Sequence, residues 1–336
     1  MASFGEMAIK PGIIEGGEIK NEDALPEIIK KALSQVKGEK IGTKYAVVSL
    51  PEEKAFSQVI QMPLMNEEEA AKAVYFEAEN YIPLPIESVY LDAQIVGVAS
   101  NHPDHADVLI AALPKKTVDS YLYSLRKAGL KPLVFEIEPQ AIARSLVGGE
   151  KSSEPLLLID FGATRTSFII FSEHSLRFTT SLPISSQQFT ETIAAGLKVS
   201  LEQAEELKKK YGISGAKGKE IFNILSPNLA NLASQIKKYI DYYQTHPSHE
   251  HLMSNGKNLE KIVICGGGSS LKGLNDFLSK ELQLKIIIGN PWSNILPASP
   301  SGAPCPVKEV PGLPYQESLR YATALGLALR GVNLYD

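Results

Sequence analysis

The sequence predicts an α/β fold of two domains, with a compact α+β unit inserted, on three observations. At 336 residues, 44% of them hydrophobic, the chain is long enough for two cores. A buried hairpin is written into 156–171. There the apolar run Leu156 to Ile159 enters Asp160, Phe161 to Thr164 form a small-residue turn, and Thr166 to Phe171 resume as a strand. A second buried strand, Ile262 to Cys265, ends in three glycines and leads into a helical pattern with Leu271, Leu274, Phe277, Leu278 and Leu282 on one side. Strand, glycine turn and helix in that order are α/β wiring.

The remaining elements follow in chain order. A short strand at Met7–Ile9 precedes a helix over 23–36 whose apolar side is Leu25, Ile28, Ile29 and Leu33. Residues 44–131 read as one compact unit. Its strands are Tyr45–Leu50, Ala55–Met62, Val89–Val98 and Asp107–Leu113, and its helices are 67–81, capped by Asn66 with Glu69 three residues on, and 118–128, capped by Thr117. A helix over 139–147 and the polar linker 148–153 lead to the hairpin. After it come a strand at 175–184 and a helix from Gln187 to Leu197 capped by Ser185. Helices from Ser200 to Gly212 and from Leu229 to Gln244 follow. Beyond the glycine turn lie a strand at 284–288, a proline-rich loop at 296–314 and a final helix at 315–331 with small residues Ala322, Ala324, Gly326 and Ala328.

Bulk properties exclude several functions. A net charge of −4 and no basic stripe argue against nucleic-acid binding. Two cysteines, Cys265 and Cys305, offer neither a disulfide framework nor metal spacing, which fits a reducing cytoplasm. No apolar run approaches the ~20 residues of a membrane helix, so any membrane attachment requires a partner. His246, His249 and His251 read as a solvated connection rather than a metal site, since no cysteine or fixed helical register supports them.

Two stretches carry chemistry. Beside Gly162, backbone amides can approach an anion while Asp160 holds a cation or its water; the alternative is a turn that only closes the hairpin. At Gly266, Gly267 and Gly268, side chains would block a ligand's approach to the backbone, and the helix beyond favours negative charge. A third stretch, Ser200 to Gly212, is a capped helix with Glu205, Lys208 and Lys209 on one face, which taken alone reads rather as a solvated charged helix.

In this order the two loops resemble those of the actin-like ATPase superfamily, with its ribonuclease H-like domains. Within it, Gly17–Leu25, Tyr45–Met65 and Glu77–Gly97 resemble the type IV pilus assembly protein PilM family, a relative of the cell-division protein FtsA, over nearly the whole chain. The resemblance implies a remnant of the first actin-like subdomain at 1–43 and an inserted partner-binding unit at 44–131. It further implies a return to the first domain at 132–150 and a second actin-like domain at 151–336, with a helical part at about 200–258. It implies ATP or ADP with Mg²⁺: Asp160 on the metal, Gly162, Ala163 and Thr164 on the phosphates, Gly266, Gly267, Gly268 and Ser269 on the α-phosphate and ribose, and Glu205, Lys208 and Lys209 on sugar and base. Family members begin with an Asp-x-Gly strand that this sequence, opening at Met1 to Gly5, does not show.

The insert has no acid pair, nucleophile or metal ligands, which suits a contact surface. The resemblance makes that surface the dock for the cytoplasmic tail of a PilN-like membrane protein, among other platform proteins. Phe56, Val59, Met62, Met65 and Phe76 are candidates for the groove, with core packing as the plain alternative. The expected role is thus a cytoplasmic, membrane-peripheral scaffold, at most a weak ATPase. The competing readings are an FtsA-like filament protein, or a sugar kinase or ATPase of the same fold. A kinase needs a further base, for which Glu136 and Glu138 are nearest but read as strand-end polar residues.

Overall fold

A computed structural model of the chain describes residues 1–98, 104–245, 259, 261–295 and 313–332. The histidine stretch at 246–258 and most of the proline-rich loop lie outside these residues.

The second domain is built on a five-stranded sheet. Its order is Ser175–Leu182, Thr166–Glu173, Ser152–Phe161, Lys261–Cys265 and Lys285–Ile288: three antiparallel strands, then two parallel additions. Alternation along the central strand sorts its side chains. Leu157, Ile159 and Phe161 enter a core with Phe168, Phe189, Leu225, Leu229 and Ile236. Leu158, on the other face, packs with Ile142, Leu146 and Val147 of the first domain. Asp160 shares that second face, so period two alone turns its carboxylate toward the first domain.

Helix Ser186–Leu197 is capped by Ser185 and Leu201–Tyr211 by Ser200, each through a capping box. The long helix runs over Gly215–Thr245, well before the expected start at Leu229, because Pro227 lies inside it instead of preceding it.

The first domain holds a correction. Tyr45–Leu50, expected in the insert, pairs in parallel with Lys131–Ile137 to form a separate two-stranded sheet. The insert's own sheet has three strands, in the order Phe56–Pro63, His105–Pro114 and Val89–Val98. Helix Glu67–Ala78, with its Asn66–Glu69 capping box, covers one face. Helix Lys115–Lys127 begins after Pro114, so Thr117 lies inside the helix and is no cap. The expected strand at Met7–Ile9 is replaced by two-residue strands at Ser3–Phe4, Ile14–Glu15 and Glu18–Ile19. Helix Glu138–Leu146 follows the second parallel strand, and Ala322–Val332 packs behind it so closely that a Cβ at Gly326 would collide with the Ala141 carbonyl.

Candidate functional site

Asp160 closes the central strand of the second domain, half-buried, beside Cys265 on the parallel neighbour. Burial raises its pKa to about 6, opposed by the hydrogen bond from the Cys265 thiol. The same contact and burial push the thiol well above its ordinary value. The turn that follows is ordered by its own backbone. Gly162 donates to Arg165 at 2.9 Å, while Gly162 and Ala163 carbonyls accept from Ser186 and Gln187 at 3.0 and 3.1 Å. The Gly162 amide is therefore committed to the turn. The Ala163 and Thr164 amides donate to no protein acceptor among the described residues, and both residues are exposed.

The glycine turn divides by task. Gly266 has φ 82°, and a Cβ there would collide with the Asp160 carboxylate. One at Gly268 would press on the Phe161 ring at 2.5 Å. These two glycines serve packing of the turn against the Asp160 strand. Only Gly267 faces open space, with Arg320 Cβ at 3.8 Å the nearest atom to a Cβ. Ser269 is buried and donates its hydroxyl to the Gly266 carbonyl at 2.7 Å, so it closes the turn and is not aimed outward. The helix expected directly after the glycines is delayed by a 3₁₀ turn, Gly267–Ser270, and starts at Leu274.

The charged helix is partly a structural clasp. Lys208 is buried and donates to Thr190 at 2.6 Å and to the Ser186 carbonyl and hydroxyl at 2.9 Å, tying helix Leu201–Tyr211 to Ser186–Leu197. Glu205 lies 2.7 Å from Lys208 and 3.2 Å from Lys209. Burial opposes its ionisation, but the bonds from Lys208, Thr190 and Lys209 win and hold it at about 2. Burial lowers Lys208 in spite of Glu205. Lys209 extends into solvent.

Three acids of the first domain meet this face. Glu52, only 5% exposed, follows strand Tyr45–Leu50 and accepts from Ser167, the cross-strand partner of Asp160. Burial raises it to about 7, against bonds from Ser167 and Thr179 and with help from the charges of Asp160 and Glu53. Glu138 follows the parallel strand Lys131–Ile137, and burial with Asp160, Glu53 and Glu52 raises it to about 8. Glu53 approaches Arg165 at 3.7 Å. Both parallel strands of the first domain thus end in a carboxyl turned toward Asp160, at the strand ends where α/β sheets bind ligands. Glu136 is different: it forms a two-pronged pair with Arg144 at 2.7 and 3.0 Å and is structural. The sequence signal for Glu138 was its place just after a strand; Glu52 gave none.

Among the described residues no three His, Cys, Asp or Glu side chains are grouped to hold a metal ion. Asp160 therefore fits Mg²⁺ only in the way that ion is commonly held with nucleotides, through one carboxylate, waters and phosphates. The free amides at 163–164 and the open side of Gly267 fit the phosphate and ribose of a nucleotide.

The partner candidates differ in exposure, and Phe56 and Val59 line one cavity together. Met62 is 1% exposed in the insert's core, so its side chain is unavailable. Phe56 and Met65 pack on the same core, and Val59 packs on the interdomain core. Phe76 alone stands out, 76% exposed.

Solved structures share this fold. The chain is 28% identical to the PilM-PilN type IV pilus biogenesis complex, with TM-score 0.78, covering 97% of this chain and 90% of that one. Against MreB5 of Spiroplasma citri bound to AMPPNP, identity is 14% and TM-score 0.58, with coverage of 96% and 79%, a likeness of actin-like fold alone. Among curated relatives, cell division protein FtsA of Pseudomonas aeruginosa is 26% identical over 184 residues, covering 50% of this chain and 44% of FtsA. FtsA of Bacillus subtilis is 26% identical over 98 residues, covering 29% and 22%. The chain thus spans less than half the length of these curated relatives. The family model for type IV pilus assembly protein PilM matches residues 1–332, and the chain belongs to that family.

Proposed function

We propose that the chain is a nucleotide-binding scaffold of a type IV pilus inner-membrane platform, and that its inserted unit docks the N-terminal tail of a PilN-like membrane protein. The observation that carries this is the likeness over 97% of the chain to the PilM-PilN complex. No helix among the described residues is long and apolar enough to cross a membrane, which fits attachment at the inner face of the cytoplasmic membrane through that partner.

The cleft binds ATP or ADP as the Mg²⁺ complex. Asp160 holds the ion through its waters, the Ala163 and Thr164 amides take phosphate oxygens, and the open side of Gly267 admits the α-phosphate and ribose. Lys209, with Glu205, meets the sugar and base, while Lys208 keeps the helix in place. Electrostatics supports the metal: Asp160 and Glu53 carry charge at neutral pH, Glu52 carries it in part, and Arg165 is already beside Glu53 at 3.7 Å, so a bare polyphosphate meets net repulsion that a divalent ion removes. Glu138, buried beside Asp160, is a poor base for a water. Held at about 8, it carries a proton near neutral pH, which suits slow hydrolysis at most.

Calorimetric titration with Mg-ATP and, separately, with the partner's tail peptide tests both halves. Asp160→Ala should abolish the nucleotide heat and spare the peptide heat. Unchanged nucleotide affinity in that variant removes Asp160 from the site, and no peptide heat with the unaltered chain removes the docking role.

A further inference from the structure

The first domain is charged differently at its two ends. Its parallel strands, Tyr45–Leu50 and Lys131–Ile137, lead at the cleft into Glu52 and Glu138, and they start at the far end beside Lys44 and Lys131. The strands set these ends about 20 Å apart. At the far end the Lys131 amide donates to the Lys44 carbonyl at 2.7 Å, which makes the two lysines neighbours, and Tyr45 beside them is 53% exposed.

Helix Lys115–Lys127 reaches the same end, since the chain turns from it through 128–130 straight into Lys131. Its buried side is Thr117, Val118, Ser124 and Leu125. Its outer side carries Lys116, Tyr123, Arg126 and Lys127 along an open groove, and Asp119 is the one acid in the helix. Exposed tyrosine rings stand among the cations: Lys115 lies over Tyr90 at 5.6 Å and Lys127 over Tyr123 at 5.4 Å. Two acids beside them are already engaged, Asp119 with the Tyr90 hydroxyl at 3.1 Å and Asp23 with Lys127 at 2.6 Å. Lys44, Lys115, Lys116, Arg126 and Lys131 form no ion pair among the described residues.

Helix stability accounts for only part of this charge. Arg126 and Lys127 sit in the last turn, where cations suit the helix dipole. Lys115 and Lys116 sit in the first turn and work against it. The chain as a whole carries −4, so a stripe of unpaired cations runs against its composition.

We propose that this face, from Lys116 along the helix to Lys131 and Lys44, rests on an anionic phospholipid surface. The lysines and Arg126 take headgroup phosphates, drawn by the surface potential of such a bilayer. Tyr45, Tyr90 and Tyr123 sit at headgroup depth, which suits a ring that is apolar and a hydroxyl that stays wet. An open, flat stripe fits a broad charged surface better than a threaded peptide. The contact is separate from the docking of a partner's tail and from the nucleotide, and it turns the cleft, at the opposite strand ends, away from the bilayer.

The test is co-sedimentation of the full chain, without partner or nucleotide, with phosphatidylcholine vesicles that contain or lack phosphatidylglycerol. The chain should bind only the anionic vesicles, and added salt should release it. Arg126→Glu with Lys131→Glu, both at exposed sites, should lower binding at least about tenfold with an unchanged melting temperature. Lys219→Glu with Lys238→Glu, exposed on helix Gly215–Thr245, changes net charge equally and should bind like the unaltered chain. Equal loss in the two double variants overturns the assignment of this face. Equal binding to both kinds of vesicle, or none to either, overturns the lipid contact. Binding to polyglutamate without binding to anionic vesicles also overturns it and gives the face to an acidic protein.

Discussion

The two sides of the cleft are built from comparable parts and used differently. The second domain brings a five-stranded sheet whose two adjacent parallel strands end in Asp160 and Gly266. The first domain brings a two-stranded parallel sheet whose strands lead into Glu52 and Glu138. One side offers turns with open backbone, suited to phosphate; the other offers buried acids. On the proposed function, the second domain's turns set where the nucleotide sits, while the first domain's carboxyls set the charge it must bring.

The largest effect that would break this contrast is at the glycines. Gly266→Val combines a left-handed backbone with a collision at Asp160 and should cost about 2–5 kcal/mol in chemical denaturation. Gly267→Val should leave stability within about 0.5 kcal/mol and yet weaken Mg-nucleotide binding at least about tenfold. Equal destabilisation by the two would show that the turn is not divided as described. Next is the buried cation: Lys208→Met should destabilise by about 1–3 kcal/mol, since it strips donors from Ser186, Thr190 and Glu205. Lys209→Ala should be silent in stability and lower nucleotide affinity a few-fold.

A smaller effect sharpens the first domain's side. Glu52 and Glu138 have an ordinary value of 4.5 and are raised in the folded chain to about 7 and about 8. The folded state therefore holds protons that the unfolded state has released. Stability is fully present below about pH 4.5 and falls as pH rises through 7 and 8. Glu138→Gln should flatten the upper part of that fall in a melting-temperature series, and an unchanged profile would remove Glu138 from the buried cluster.

Much of this was legible in the sequence. Asp160 and the three glycines announce themselves because a buried strand that ends in an acid or in glycines breaks its own apolar pattern. The capping boxes at Asn66, Ser185 and Ser200 fixed three helix starts, since both halves of the signal are local. What was not legible depends on distant pairing. Tyr45–Leu50 reads as an ordinary strand, and only its parallel register with Lys131–Ile137 removes it from the insert. Glu52 sits in a charged Pro-Glu-Glu-Lys run that looks solvated, and burial against Ser167 comes from the other domain. Glycine residues announce a close approach but not its partner, and an added Cβ at Gly266 or Gly268 would meet Asp160 or Phe161. Met62 was apolar and adaptable, and the core claimed it.

The most direct test of the cleft's central claim is the titration of ATP into the chain with Mg²⁺ present and again with the metal chelated. The charge of Asp160 and Glu53, with Arg165 already beside Glu53, predicts heat of binding only with Mg²⁺. Equal affinity in the chelated sample would contradict the electrostatic account of the cleft, and no binding in either would contradict the nucleotide site itself.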